Sequence, residues 1–351
     1  NDFMDINGGV NFSYTPVKNH QVNIFGEYSS AHQGVPGAVV FYNPYNKQRL
    51  STNSLNLRTD YKGKIKSIYY RVYYSHSNDS IYYFDPHYLN AEGILKSDYR
   101  NSVDDLGLNL SYKWRTKFSF NAGSEWISSA LRSQYAIEAR PYRNHVLSYG
   151  KVTYDHVKFS LIGQLGHQYI AELNRNGEKG KDISKFTPFI EGRFKILPSL
   201  TLITYYRNSF RPPSFNELYY NNIGNNALKP EDAHQLSGSI AYTVLDKKNS
   251  YLGFQIAAYH QQVNNMILSI PTKNVFIWSI QNVGQNKING LEAIASFSQD
   301  LGKGFSIQAL ANYTYQESRD YSDPNSPTYK HIIAYSPKHM LNVDLTFLFK
   351  V

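Results

Sequence analysis

Apolar residues recur at every second position along most of this chain. The runs that carry them are broken alternately by very short and rather long polar stretches. Val103 to Trp114, led in by Asn101-Ser102, shows the pattern best. Leu106, Leu108, Leu110, Tyr112 and Trp114 share one parity, and Asp105, Gly107, Asn109, Ser111 and Lys113 share the other. Successive side chains of a strand point to opposite faces, so this run has one wholly apolar side and one polar side. In Lys64 to Ser75, Ile68, Tyr70, Val72 and Tyr74 oppose Ser67, Tyr69, Arg71 and Tyr73. In Tyr251 to His260, Leu252, Phe254, Ile256 and Ala258 oppose Gly253, Gln255, Ala257 and Tyr259. In His339 to Lys350, Leu341, Val343, Leu345, Phe347 and Phe349 oppose Asn342, Asp344, Thr346 and Leu348.

The short breaks fall near Thr15–Asn19, Lys62-Gly63, Lys113–Thr116, Asp155-His156, Leu197-Pro198, Asp246–Asn249 and Asp300–Lys303. The long ones span roughly 30–49, 76–101, 129–145, 170–184, 209–233, 262–286 and 316–337. Short turns on one rim and long loops on the other, joining about fifteen strands, predict an all-β, antiparallel, up-and-down transmembrane β-barrel. A solenoid would repeat at a fixed period, and none is present.

Composition agrees. Aromatics make up 15% of the 351 residues and Tyr alone contributes 31, as expected if rings form belts at two membrane–water interfaces. No apolar run reaches the ~18 residues of a membrane helix, but barrel strands need only alternate. Cysteine is absent, which excludes disulfides, thiolate metal sites and cysteine nucleophiles. The net charge of +9 is scattered, with no finger, helix-turn-helix or basic cluster, so nucleic acid is not the expected partner. A positive rim facing anionic lipid head groups or an anionic solute fits better. Residue 1 is Asn, with no signal-peptide pattern behind it.

One long break carries a distinctive motif. Phe210-Arg211-Pro212-Pro213-Ser214-Phe215-Asn216-Glu217-Leu218-Tyr219 is closed by Gly224-Asn225 and Leu228-Lys229-Pro230-Glu231. Paired prolines remove two N–H donors and stop a sheet ladder, and residues 221–226 are turn chemistry. The motif closely resembles the Phe-Arg-x-Pro-Ser-Phe-x-Glu-Leu-Tyr…Gly-Asn…Leu-Lys-Pro-Glu signature of TonB-dependent outer-membrane receptors. Other stretches add to the likeness in the family's order. These are Gly34-Val35-Pro36-Gly37, Gln281-Asn282-Val283-Gly284 with Ile288-Asn289-Gly290-Leu291-Glu292, and Ser336-Pro337-Lys338-His339. The resemblance implies a barrel of about 22 strands with a plug domain in its lumen. Neither a plug nor an energy-coupling box is recognisable here, and the chain stops at Phe349-Lys350-Val351. The expectation is therefore a partial barrel domain over 1–351, without the plug, the opening strands or the last few strands.

What the resemblance implies about function is active uptake of a scarce, large nutrient such as a ferric siderophore or cobalamin. Its implied partners are TonB with its inner-membrane energising complex, reached through the plug, together with the nutrient, outer-membrane lipid and lipopolysaccharide. No cofactor is implied. A passive porin or an outer-membrane enzyme on a similar barrel is the alternative, and a soluble β-sandwich binding module is a third reading. No Gly-x-Ser-x-Gly, P-loop or dinucleotide fingerprint supports an enzyme.

Candidate ligand contacts are the aromatic and amide clusters of the long breaks. One is Phe41, Tyr42, Asn43 and Tyr45; another is Tyr82, Tyr83, Phe84 and Tyr88, with Asp85 and His87. A third is Tyr219, Tyr220, Asn221 and Asn222. Such residues give contact area and hydrogen bonds at low rotamer cost, but interfacial tyrosines anchoring in head groups would look the same. The motif itself (Phe210, Arg211, Pro213, Ser214, Phe215, Glu217, Leu218, Tyr219, Asn225, Leu228, Pro230, Glu231, with Gly290, Glu292, Pro337 and His339) is read first as scaffold. In that reading a buried Arg211 pairs with Glu217. No metal site is expected; the nearest grouping is His76, Asp79, Asp85 and His87, where a calcium or zinc site is the alternative to the simpler reading as solvated loop residues.

Overall fold

The computed structural model describes residues 2–35, 47–88, 92–134, 140–174, 178–221, 223–271, 278–302, 304–334 and 336–349. Fifteen strands follow one another: β1 (Phe3–Val17), β2 (His20–Gly34), β3 (Arg49–Ile65), β4 (Ile68–Asp85), β5 (Leu95–Trp114), β6 (Phe118–Ser133), β7 (Tyr142–Asp155) and β8 (Phe159–Asn174). Then come β9 (Ile183–Leu197), β10 (Leu200–Arg211), β11 (Glu231–Lys247), β12 (Ser250–Pro271), β13 (Trp278–Gly302), β14 (Phe305–Asp320) and β15 (His339–Phe349). One helical turn, α1 (Phe215–Tyr219), lies between β10 and β11. Every strand pairs antiparallel with its sequence neighbours in a single sheet running from β1 to β15, and β1 and β15 have one partner each among the described residues. No described helix is long and apolar enough to cross a membrane.

The expected parities survive in register. Thr59, Tyr74, Leu106, Trp126, Val146 and Tyr169 are successive partners from β3 to β8 and form one continuous row. Below it, Ile68, Tyr112, Phe120 and Val152 form another, from β4 to β7. Leu106, Leu108 and Leu110 on this face are exposed, as are Leu341, Val343, Leu345 and Phe347 of β15. No second layer of protein covers them among the described residues. At the short-turn rim the rings of Trp114, Phe118, Tyr154, Phe159 and Phe194 follow one another at centroid separations of 5.6, 4.7, 5.7 and 6.3 Å. An apolar band bounded by aromatics is what hydrocarbon selects, because lipid accepts apolar side chains while the ladder satisfies the backbone.

The other face is polar and concave. The β10–β11 connection reaches β5 across it: the Asn221 N–H donates to the Tyr99 hydroxyl at 2.8 Å. Five strands at ~4.8 Å spacing would separate these elements by about 24 Å in a flat sheet, so the contact crosses the inside of a curve. On this inner face tyrosines lie over glycines of the next strand. Tyr73 covers Gly107, where an added Cβ would collide with the ring, and its hydroxyl bonds Glu125 one strand further on. Arg58 and Arg71 hem the same ring, each 5.3 Å from its centroid. Tyr259 covers the motif glycine Gly290 in the same way, with its hydroxyl 3.3 Å from Gln316 on β14. These glycines admit a ring that ties three strands together. Gly107→Ala is accordingly expected to lower stability by about 1–3 kcal/mol through overpacking. A shifted urea midpoint of the folded barrel measures it, and an unchanged midpoint would show that the ring simply swings aside.

Two boundaries differ from expectation. The β3–β4 turn sits at Lys66-Ser67, with Lys66 at φ 52, instead of Lys62-Gly63. Gly63 is a strand residue opposite Tyr70, whose ring fills the space a side chain would occupy. The strands also run further towards the long-loop rim than their apolar faces do. Within the break expected over 76–101, β4 continues to Asp85 and β5 begins at Leu95, and within that expected over 262–286, β12 continues to Pro271 and β13 begins at Trp278. Ladder pairing continues past the apolar band because water accepts either face of a strand.

Candidate functional site

The β10–β11 connection forms a compact knot inside the mouth at the long-loop rim. Ser214 caps α1: its hydroxyl accepts from the Glu217 N–H at 3.2 Å, and the Glu217 carboxylate accepts from the Ser214 N–H at 2.7 Å. This capping box satisfies two donors that a lone helical turn leaves open. Arg211, at the end of β10, donates to Glu217 at 2.9 Å and to Glu231, the first residue of β11, at 2.7 Å. One guanidinium therefore joins both ends of the connection. Burial works against the Glu217 carboxylate, but Arg211 and the Ser214 N–H outweigh it and hold the carboxyl below its ordinary value. The expected pairing of Arg211 with Glu217 is present, but Arg211 is not buried. Its side chain is 45% exposed, because it spans the outside of the knot and does not enter it.

Beneath it, Leu218, Leu228 and Ile267 pack as a small buried core, with Phe215, Tyr219 and Ile280 against them. Backbone contacts fasten the knot to β12 and β13. The Ile267 N–H donates to Glu231 at 2.6 Å, and the Asn225 amide donates to the Ile280 carbonyl at 3.0 Å. Asn282 accepts from the Lys229 N–H and donates to the Lys229 and Asn265 carbonyls. The Pro230 carbonyl accepts from Asn265. On the opposite side, Arg143 of β7 donates to the Pro213 carbonyl at 2.8 Å and to Glu172 of β8 at 2.6 Å, with its guanidinium 5.0 Å from the centre of the Phe215 ring. Gln168 of β8 donates to the Phe210 carbonyl. The motif thus spans the mouth and ties β7 and β8 to β12 and β13.

The aromatic candidates separate by parity. Tyr83 and Tyr99 lie on the inner face of β4 and β5, and the Tyr220 ring stacks on Tyr99 at 5.5 Å with an interplanar angle of 4°. Asp85 shares the inner parity of Tyr83, so Tyr83, Asp85, Tyr99 and Tyr220 belong to one inner neighbourhood, and Tyr88 lies just beyond the end of β4. Tyr82 and Phe84 are not part of it. They are strand residues, not loop residues, on the outer face in phase with Tyr74, because consecutive residues of a strand cannot face the same way. Tyr42 and Tyr45, with Phe41, Asn43 and Asn222, lie outside the described residues, as do Pro36 and Gly37 of the first loop's glycine-proline run.

The acidic and histidine grouping does not assemble. His76 points outward to Asp104 at 2.9 Å, Asp79 inward to Ser54 at 2.5 Å, and Asp85 accepts from the His87 N–H and Gln48. Among the described residues no three His, Asp or Glu side chains converge as a metal site would require. Of the remaining motif residues, Glu292 is exposed on the inner face of β13, and His339 opens β15 with its ring against Tyr315 and bonded to the Tyr313 hydroxyl at 2.8 Å. Pro337 precedes it.

A family model described as "TonB dependent receptor-like, beta-barrel" matches residues 1–350. The chain belongs to the TonB-dependent receptor family. The vitamin B12 transporter BtuB of Vibrio vulnificus is 32% identical over 117 residues, which are 32% of this chain and 17% of that protein. The BtuB of Photobacterium profundum is 26% identical over 114 residues, with the same shares. The solved ferric citrate transporter FecA superimposes with a TM-score of 0.73 at 15% identity, covering 98% of this chain and 55% of FecA. The copper transporter OprC gives 0.69 at 16% identity, covering 99% and 57%. The chain thus spans just over half the length of these solved receptors. As a TonB-dependent receptor barrel it resides in the Gram-negative outer membrane, with its apolar rows against hydrocarbon. Sequence reading missed Tyr99, Arg143 and Glu172 of this receptor barrel. Tyr99 meets its partner 122 residues away and Arg143 meets Pro213 70 residues away, and no local pattern marks either.

Proposed function

We propose that this chain is barrel wall and mouth of a receptor for TonB-energised uptake of a scarce, large nutrient, of which a corrinoid or a ferric siderophore is the leading type. The observation that carries the reading is the placing of Tyr83, Asp85 and Tyr99 on the lumen face of a family member's mouth, with Tyr220 stacked on Tyr99. Stacked rings with hydroxyl and carboxylate groups provide a broad, amphipathic contact for a bulky polar solute. The relatives' names, which include vitamin B12, ferric citrate and copper transporters, support the solute class. In this reading residues 1–351 are part of a larger barrel around a plug domain, on which TonB and its energising complex act. The motif knot serves as the rigid floor beneath the aromatic contact, and lipid with lipopolysaccharide surrounds the wall.

The test uses the intact protein and measures binding of cyanocobalamin and a panel of ferric siderophores. Tyr83→Ala with Tyr220→Ala is expected to weaken the bound solute about ten- to a hundredfold, while Tyr82→Ala on the outer face leaves it unchanged. Uptake is expected to need TonB, and the protein should stay closed to ions in a planar bilayer. Uptake that persists without TonB, or steady conductance, would instead support a passive porin.

A further inference from the structure

The lumen face of the wall is divided into a charged part and a neutral part. On β3 to β6 it carries Arg58, Asp60, Lys62, Arg71, Asp105 and Glu125, all on the inner parity of Tyr73 and Gly107. These charges stand at the depth of the apolar band, since Leu106 and Trp126 follow Asp105 and Glu125 and are exposed on the lipid side. Several are tied to one another. Arg71 and Lys62 lie 3.2 and 3.7 Å from Asp60, and the Tyr73 hydroxyl donates to Glu125.

The strands from β10 onwards differ. Thr201, Ala241, Gln255, Ile294, Asn312 and Asn342 are successive partners from β10 to β15, a row across six strands without a charge. Gln255 lies between Phe254 and Ile256, both exposed on the lipid side, so this row is also at the depth of the band. The next row towards the mouth is Ile203, Ser239, Ala257, Glu292 and Thr314, in which Glu292 is the single charge. Ser239 and Ala257 are buried between longer neighbours, so the floor of the neutral part is low. The two parts suit different tasks. Hydrogen bonds to fixed charges are about twice as strong as neutral ones, so the β3–β6 wall holds firmly any polar protein surface laid against it. A moving solute needs the reverse, contacts favourable enough to enter and weak enough to leave. Uncharged amides, hydroxyls and short aliphatic groups supply contacts of that kind.

We propose that the imported solute crosses the lumen along the β10–β13 wall, while the plug domain covers the β3–β6 wall. The proposal rests on the uptake reading and extends it from capture to passage. The chain has no cysteine, so a single one can be placed on either wall of the intact protein. Gln255→Cys probes the neutral wall, and Ser75→Cys, between its partners Arg58 and Asp105, probes the charged one. Both positions are half-buried in the wall itself, so a difference between them reports what lies over them. A polar maleimide is added to cells importing radiolabelled cyanocobalamin, or radio-iron on a hydroxamate or a catecholate siderophore. Gln255→Cys is expected to react about tenfold faster than Ser75→Cys, and unfolding in hot SDS removes the difference. Labelled Gln255→Cys is then expected to import about tenfold more slowly, with its affinity for the solute unchanged. That unchanged affinity, with heat-dependent gel mobility, reports a folded protein. Equal reaction of the two cysteines, or full uptake by labelled Gln255→Cys, would overturn the path while leaving uptake standing. Wild-type cells that accumulate none of these solutes would instead refute the uptake reading, and the path with it.

Discussion

Arg143→Ala is expected to lower stability by about 3–5 kcal/mol, the range for breaking a buried ion pair by removing one partner. The Arg143 and Glu172 side chains are 9% and 6% exposed, so the truncation takes away the guanidinium 2.6 Å from a buried carboxylate. The same truncation removes the donor to the Pro213 carbonyl and the cation over the Phe215 ring. The knot across the mouth would then lose its hold on β7 while keeping that on β12 and β13. Two readouts should move together: the urea midpoint of the barrel in detergent, and chymotryptic cleavage after Tyr219 or Tyr220. Replacing both partners, Arg143→Met with Glu172→Leu, is expected to recover more than half of the lost stability, because the buried carboxylate is removed together with its guanidinium. A loss under about 1 kcal/mol with unchanged proteolysis would show that the pair does not hold the knot.

Arg211→Ala should lower stability by about 2–4 kcal/mol. Two charge-assisted hydrogen bonds are removed at about 1.5–3 kcal/mol each, reduced because Arg211 is nearly half exposed to screening water. The substitution also leaves the Glu217 and Glu231 carboxylates near one another without a cation. A pH dependence follows from Glu217, whose carboxyl is harder to protonate in the folded protein than in the unfolded chain. The unfolded state therefore binds more protons, so this contribution is complete above the unfolded glutamate pKa of about 4.3 and is lost as pH falls through the lower folded value. The thermal midpoint of the wild type is expected to fall over that acid window. In Arg211→Ala the fall should be smaller, since the shift has lost a principal cause. Parallel curves for the two proteins would contradict the assignment.

These two tests bear on residues that were unequally legible. Arg211 and Glu217 are six positions apart in a stretch whose prolines, turn amides and capping pattern announce themselves locally. Their pairing could be expected; its exposure could not, since exposure depends on what surrounds the knot. Arg143 sits in a strand with nothing nearby to distinguish it. Glu172 stands opposite it on β8 by ladder register alone, whereas Pro213 of the β10–β11 connection reaches it only because the sheet curves. Gly63 illustrates the converse. A glycine after a lysine reads as a turn, and only the Tyr70 ring lying over it explains a glycine in mid-strand.

The number of strands, their antiparallel order and the face each turns to lipid are properties of the amino-acid sequence alone. Period-two alternation is local, and the bilayer enforces it along every membrane-crossing strand. Where strands stop at the loop rim was not written there, because beyond the band water tolerates either parity and only ladder pairing sets the limit. The tertiary structure alone decided that Tyr83, Tyr99 and Tyr220 meet while Tyr82 and Phe84 turn away. It also decided that Thr201, Ala241, Gln255, Ile294 and Asn312 stand in one uncharged row. Such juxtapositions depend on register and curvature, which sum over many strands and are encoded in no single one of them.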